Sequence, residues 1–231
     1  MEMKDVLDFV KIEHTLFSLP FVLIGFVLAD RQFGTESTDL LWIIVAAIGA
    51  RGLAMALNRV VDREIDANNP RTASRHLPSG KITTFEAWAL SGLFFAMLLI
   101  SAWRLNEVAL KMAWLPVLAF VIYPYTKRYT WLCHLWLGLC LGLAPAGAWL
   151  AIAGDVHGWS AVTGLFENHN DVLWYPTIFF ISLGVALWIA AFDINYARMD
   201  VENDRKTGIH SFPARFDERI TTRTSVQLSL A

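Results

Sequence analysis

The chain has 231 residues, 55% of them hydrophobic and only 17% charged, where soluble globular chains carry about 25% charged residues. With a mean hydropathy of +0.44, ten Trp and fifteen Phe, this excludes a disordered chain and argues against a soluble domain, leaving a polytopic membrane protein. The net charge of −2 says little, but the distribution of charge along the chain says more.

In chain order, the lead MEMKDVLDFVKIEH mixes acids and bases and reads as an amphipathic entry segment, not a cleaved secretory signal. Six apolar runs follow, at 15–31, 40–57, 84–103, 108–126, 131–153 and 173–192, each close to the ~20 residues that a spanning helix needs. Pro20, Pro116 and Pro145 fall inside runs, where membrane helices tolerate proline. Cys133 and Cys140 lie seven apart in one run, two turns along a helix and too distant to bridge. The tail DERITTRTSVQLSLA is polar and too short to span.

Basic residues concentrate in alternate connections. Segment 58–81 holds Arg59, Arg63, Arg71, Arg75 and Lys81; the next such segment holds Lys127 and Arg128; segment 193–223 holds Arg198, Arg205, Lys206, Arg215, Arg219 and Arg223. The connection 154–172 has Asp155, Glu167 and Asp171 and no Lys or Arg. The excess of bases on one side places the N-terminus and the even-numbered connections in the cytoplasm.

The first cytoplasmic connection opens NRVVDREID, with Asn58, Asp62 and Asp66 at spacings of four. Four residues advance a helix by about 6 Å and rotate it by about 400°, so three oxygen-bearing side chains share one face. Such hard donors suit Mg²⁺, although a solvated helix end would read the same way. The third connection, FDINYARMDVENDRKTGIHSFPARF, repeats the spacing with Asp200 and Asp204, and Asp193 lies seven before Asp200 with Tyr196 between them. Both segments run from DxxxD through basic residues to a His and a Pro: Asp62, Asp66, Arg71, Arg75, His76, Pro78, then Asp200, Asp204, Arg205, Lys206, His210, Pro213. They look like a degenerate internal repeat that would bring two acidic faces around one cavity. Five converging carboxylates repel unless cations relieve them. Arg71, Arg75, Lys127, Arg205 and Lys206 are candidates for an anion's remaining oxygens, although most bases beside a membrane only set topology. Acids for metal, bases for an oxyanion and an embedded body point to a lipid diphosphate.

The second connection, YPYTKRYTW, adds Tyr123 and Lys127 four apart. Lys127 suits a leaving diphosphate and the Tyr123 ring face suits an allylic cation; an interfacial aromatic belt with an anchoring lysine is the plain alternative. Arg51 lies in an apolar run about two turns before Asn58, where an arginine marks a functional site or snorkels to the interface. Glu13 and His14 precede the first run and face either the same cavity or the interface.

The segments NRVVDREIDANNPRT, YPYTKR and DINYARMDVENDRKTGIHSFPARF, in this order on three connections, resemble the UbiA superfamily of intramembrane aromatic prenyltransferases. The likeness runs from KIEHTLFSLPF to FPARF, and KIEHTLFSLPF and RTASRHLPSGKIT look most like members of quinone biosynthesis that prenylate 4-hydroxybenzoate or a dihydroxynaphthoate. The resemblance implies an all-α transmembrane helix bundle around a central cavity that opens sideways to lipid. It implies one domain over 1–231, an integral protein of the plasma membrane, with Mg²⁺ as cofactor. A polyprenyl diphosphate, a small aromatic acceptor and the bilayer would be its partners. By motif position, Asn58, Asp62 and Asp66 would form one metal-side set and Asp200 and Asp204 the other. Arg71, Arg75, Lys127 and Asn58 would hold the diphosphate, and Asp193, Tyr123 and Lys127 would carry the chemistry. His76 stands where many members have Pro. Members usually have about nine helices against the six runs here, so the C-terminal part is expected to be missing.

Other readings stay open. Prenyl transfer to a non-aromatic lipid acceptor uses the same donor. A CDP-alcohol phosphotransferase also uses membrane-embedded acids with metal, but needs DxxDG, which this chain lacks, and Asn58 occupies its glycine place. An ion-coupled transporter would carry its acids near the midplane, whereas these cluster at cytoplasmic helix ends. Nucleic-acid binding is not expected, because topology already explains the spread of the basic residues.

Overall fold

The computed structural model describes residues 3–163 and 176–231, so most of the acidic fifth connection, with Glu167 and Asp171, lies outside the described residues, as does the His14 side chain. The short amphipathic α1 (Met3–Val10) leads in, and Lys11 turns the chain in the left-handed region (φ 52°) into α2 (Ile12–Phe33). α2 stops where Gly34, at φ 77°, donates its N–H to the Asp30 carbonyl, a conformation glycine adopts without strain. A capping box of Glu36 and Asp39 starts α3 (Ser37–Val61), and Asp62 separates it from α4 (Arg63–Asn68). Thr83 and Glu86 form a second capping box at α5 (Thr84–Leu105), satisfying backbone N–H groups that would otherwise be left open. Then come α6 (Glu107–Met112), α7 (Trp114–Tyr129), α8 (Cys133–His157), the short α9 (Ser160–Thr163) and α10 (Pro176–Ala197). A 3₁₀ turn, Arg198–Asp200, leads into α11 (Val201–Thr207), α12 (Phe212–Arg215) and α13 (Glu218–Leu230).

Six helical stretches among the described residues are long and apolar enough to cross a membrane: Thr15–Phe33, Ser37–Val61, Thr84–Leu105, Glu107–Tyr129, Cys133–His157 and Thr177–Thr207. They overlay the six runs expected from hydropathy. Two are less regular than the runs suggest: the fourth is broken at Ala113, between α6 and α7, and the sixth passes through the 3₁₀ turn before ending in α11. This is an all-α integral membrane bundle. Large apolar side chains such as Phe85, Trp88, Trp103, Trp114 and Phe180 are exposed on its outside, as expected where lipid takes the place of water. Cys133 and Cys140 are free and buried.

Two clusters form the interior. One joins α1, α3, α5, α7 and α8 through Phe9, Leu57, Leu90, Phe94, Phe120 and Cys140, and takes in Leu77 and Ile82 from the first connection. The other joins α2, α3, α8 and α10 through Val22, Ile43, Trp149, Ile152 and Ile178. Small residues set how closely the helices approach. A Cβ on Gly25 would lie 2.1 Å from the Pro145 carbonyl oxygen, and one on Gly138 would lie 2.1 Å from that of Ala186. Within a bilayer, where no hydrophobic gain drives helices together, such backbone approach supplies the packing. Replacing Gly138 with Val therefore wedges α8 from α10. The expected loss is about 3 kcal/mol, visible as a lowered unfolding midpoint in detergent; Gly147→Val, at a glycine with open space around it, should leave that midpoint in place.

Candidate active site

The polar connections of the sequence meet at one end of the bundle, because each leaves an even-numbered span and each is tied to the others. The first is a folded loop. Thr72 is buried and donates its hydroxyl to the Asp66 carbonyl at 2.9 Å, and Leu77 and Ile82 anchor the loop in the core. Held this way, the loop turns two arginines back over the helix ends. Arg75 Nη1 donates to both carboxylate oxygens of Asp66 at 2.8 Å. Arg71 crosses to the third connection, where Nε donates to Asp200 Oδ1 at 2.9 Å and Nη2 to Oδ2 at 2.5 Å, while Nη1 reaches the Tyr196 hydroxyl at 3.1 Å. Asn69 adds a bond to Asp200 Oδ1 at 3.0 Å.

The second connection closes on Asp62, which is 1% exposed. Lys127 Nζ donates to its Oδ2 at 2.5 Å, and the Asn58 amide donates to the same oxygen at 3.0 Å. Arg128 donates to the Val61 carbonyl at 2.7 Å and its Nη2 stands 3.7 Å from Asp62 Oδ1. That buried Oδ1 accepts no hydrogen bond. Burial pushes the Asp62 carboxyl above its ordinary value, with Lys127 pulling it back down. The bond to Asp200 raises the pKa of the Arg71 guanidinium, so the charged form is favoured.

The third connection is strapped to the other two. The His210 N–H donates to the Lys127 carbonyl at 2.8 Å, and the Ser211 hydroxyl donates to Asp204 Oδ2 at 2.6 Å. Asp193 sits opposite His134 in the first turn of α8, with 2.7 Å between Oδ2 and Nδ1. Lys127 lies within electrostatic reach of both Asp62 and Asp204, and Arg75 contacts Asp66 and lies near Asp200. Each of Asp62, Asp66 and Asp200 is thus paired with a base, while Asp62 lies near Asp66 and Asp204 near Asp200.

Asn58, Asp62 and Lys127 are brought together, as are Asp66 with Arg75 and Asp200 with Arg71. Tyr123 is half-buried on α7, near Asp62 and Asp193, and Arg51 on α3 lies near Tyr123 and Cys140. Asp200 ends the 3₁₀ turn that parts the helix of Asp193 from that of Asp204, so the single helical face expected for Asp193, Asp200 and Asp204 is interrupted and Asp193 points to α8 instead. Arg205 turns away to the Ala214 carbonyl, and Lys206 is exposed. No group of three His, Cys, Asp or Glu among the described residues is gathered tightly enough to enclose a metal; each acid faces a base or a hydroxyl. The donor chemistry still fits a hard cation, with carboxylates from two connections and one buried oxygen, Asp62 Oδ1, that accepts no hydrogen bond. Sequence reasoning missed Asn69, His134 and Ser211 as partners of the acids. His134 carried the one available signal, a histidine inside an apolar run.

The membrane bundle thus carries paired acids and bases from three connections at one end. Comparison with known proteins gives the family: the profile of the UbiA prenyltransferase family matches residues 18–231, and the chain belongs to that family. It is 34% identical over 183 residues to the 4-hydroxybenzoate octaprenyltransferase of Vibrio campbellii, covering 77% of this chain and 57% of that protein. The chain thus spans little more than half the length of that relative. Among solved structures, the apo UbiA homologue of Aeropyrum pernix superposes with a TM-score of 0.82 at 33% identity, covering 94% of this chain and 74% of that one. A UbiA homologue of Archaeoglobus fulgidus bound to GPP and Mg²⁺ shares the fold at 20% identity, with a TM-score of 0.66 over 98% of this chain and 74% of that one.

Proposed function

We propose that the protein transfers a polyprenyl group from an allylic polyprenyl diphosphate to a small aromatic acceptor of the 4-hydroxybenzoate or dihydroxynaphthoate type, in quinone biosynthesis, at the cytoplasmic face of the plasma membrane. The observation that carries this reading is the pairing of Asp62, Asp66 and Asp200 with Lys127, Arg75 and Arg71 across three connections, since a metal-bound diphosphate needs both signs of charge. The relatedness to a 4-hydroxybenzoate octaprenyltransferase supports the acceptor class.

Asn58, Asp62, Asp66, Asp200 and Asp204 would hold Mg²⁺; with its amide nitrogen turned to Asp62, Asn58 keeps its oxygen for a cation. Bound there, Mg²⁺ would supply Lewis-acid charge neutralisation for the leaving diphosphate. Lys127, Arg71 and Arg75 would bind its remaining oxygens, the guanidiniums as forks. Breaking the allylic C–O bond leaves the electron pair on the diphosphate and cationic character on the prenyl carbon, which the Tyr123 ring face would stabilise. The acceptor ring forms the new C–C bond, and its proton passes to the Asp193 carboxylate. An apolar surround would be needed to keep water from the cation, and Arg51, on α3 near Tyr123, is a candidate to meet the acceptor.

The test is transfer of a labelled polyprenyl diphosphate in membranes to 4-hydroxybenzoate, a dihydroxynaphthoate and a glycerol-based lipid acceptor, with Mg²⁺ or EDTA. Product on one aromatic acid, lost with EDTA, is expected. Product on the glycerol lipid alone would overturn the aromatic reading, and no product from the full-length protein would overturn prenyl transfer itself.

A further inference from the structure

His134 belongs to none of the polar motifs, yet it is 4% exposed and makes a bond with each ring nitrogen. Nδ1 faces Asp193 Oδ2 at 2.7 Å. Nε2 receives the backbone N–H of Phe212 at 3.1 Å. A backbone N–H can only donate, so Nε2 must hold a lone pair. The imidazole is then neutral, its proton sits on Nδ1, and that proton is given to Asp193. The tautomer is fixed by the protein backbone and not by the carboxylate alone.

The same ring governs a second element. Phe212 ends the tripeptide His210-Ser211-Phe212, whose other members bond the Lys127 carbonyl and the Asp204 carboxylate, and Cys133 adds its thiol to the His210 carbonyl at 3.5 Å. A buried side chain bonded on both sides is held in one orientation.

We infer that His134 is a positioning residue: as a neutral Nδ1–H donor it orients the Asp193 carboxylate, and through Nε2 it locks the third connection against α8. It is not a proton shuttle, because Nε2 is already occupied by Phe212. The inference deepens the prenyl-transfer reading and rests on it for the role of Asp193, while the tautomer stands on geometry alone.

Two substitutions separate its two bonds. Asparagine puts an amide nitrogen near the Nδ1 position and cannot reach Phe212; glutamine puts an amide oxygen near the Nε2 position and loses the donor to Asp193. In the purified full-length protein, His134→Asn should keep kcat within about threefold and lower the unfolding midpoint. His134→Gln should keep the midpoint and lower kcat about tenfold or more, as misplaced groups do, with KM for the prenyl diphosphate unchanged. Nitrogen-15 spectra of histidine-labelled protein, with the signal identified by its loss in His134→Asn, should show the Nδ1–H tautomer. Parallel losses of kcat and midpoint in both variants would overturn the positioning role. An Nε2–H or doubly protonated ring would overturn the tautomer. If the unaltered protein transfers no prenyl group, the functional reading fails, and the spectrum still decides the state of His134.

Discussion

Asp62→Asn should cut prenyl transfer by about 100-fold or more, the scale seen when a preorganised charge-stabilising group is lost. Among the described acids of the site, Asp62 is the most enclosed and is met from two elements at once: Asn58 from its own helix and Lys127 from α7 both meet Oδ2. Asparagine fits the space and keeps an acceptor for Lys127, so the fold has no steric reason to change. It removes the negative charge, leaving the Lys127 ammonium without its direct carboxylate partner. Breaking a buried pair from one side costs about 3 kcal/mol or more, at the low end here because the Lys127 side chain is 25% exposed. Transfer rates over a Mg²⁺ titration check the first effect, and the detergent unfolding midpoint checks the second. Near-normal transfer at saturating Mg²⁺ would remove Asp62 from the metal-side set.

The second large effect is expected at Arg71. Its fork is the direct ion pair between the first and third connections, and it is bidentate, with a third bond to Tyr196. Arg71→Lys keeps the charge and loses the planar fork, so the prenyl diphosphate KM should rise about tenfold; the two residues are not interchangeable at bidentate sites. A double-mutant cycle with Asp200→Ala should return a coupling of about 1 kcal/mol in stability, modest because the Arg71 side chain is 34% exposed and solvent screens the pair. A KM unchanged in Arg71→Lys would show that the guanidinium serves only to join the connections.

The contrast between the acids and their partners shows what a sequence can carry. Asp62, Asp66, Asp200 and Asp204 are legible because their spacing of four is local, and the bases because topology concentrates them beside the spans. The six spans are legible for the same reason, since length and hydropathy act within each segment. Pairings are not local: His134 meets Asp193 across 59 residues, and Asn69 meets Asp200 across 131. Nothing in either neighbourhood encodes the other. The interruption at Arg198–Asp200 is hidden too, because DINYARMDVENDR has no proline or glycine to announce a tighter turn. The repeat of the two acidic segments extends to the backbone, since Asp62 and Asp200 each precede a short helix whose first turn buries Asp66 or Asp204, but the partners of those buried acids differ. In the first, Thr72 bonds the backbone of Asp66, whereas in the second Ser211 bonds the carboxylate of Asp204 itself.

The acid–base pairing would also filter what settles at this end of the bundle. A lone divalent ion that takes Asp66 or Asp200 must displace Arg75 or Arg71, and it leaves a guanidinium unpaired each time. A lone phosphate, such as a phospholipid headgroup drifting past, strands a carboxylate instead. Each intruder exchanges one neutral pair for another and leaves an orphan behind. A visitor that carries cation and polyanion together would re-pair both halves. The two components should then raise one another's affinity by the same factor. At a membrane surface crowded with anionic lipid, such mutual dependence would keep this end of the bundle clear until the two arrive together.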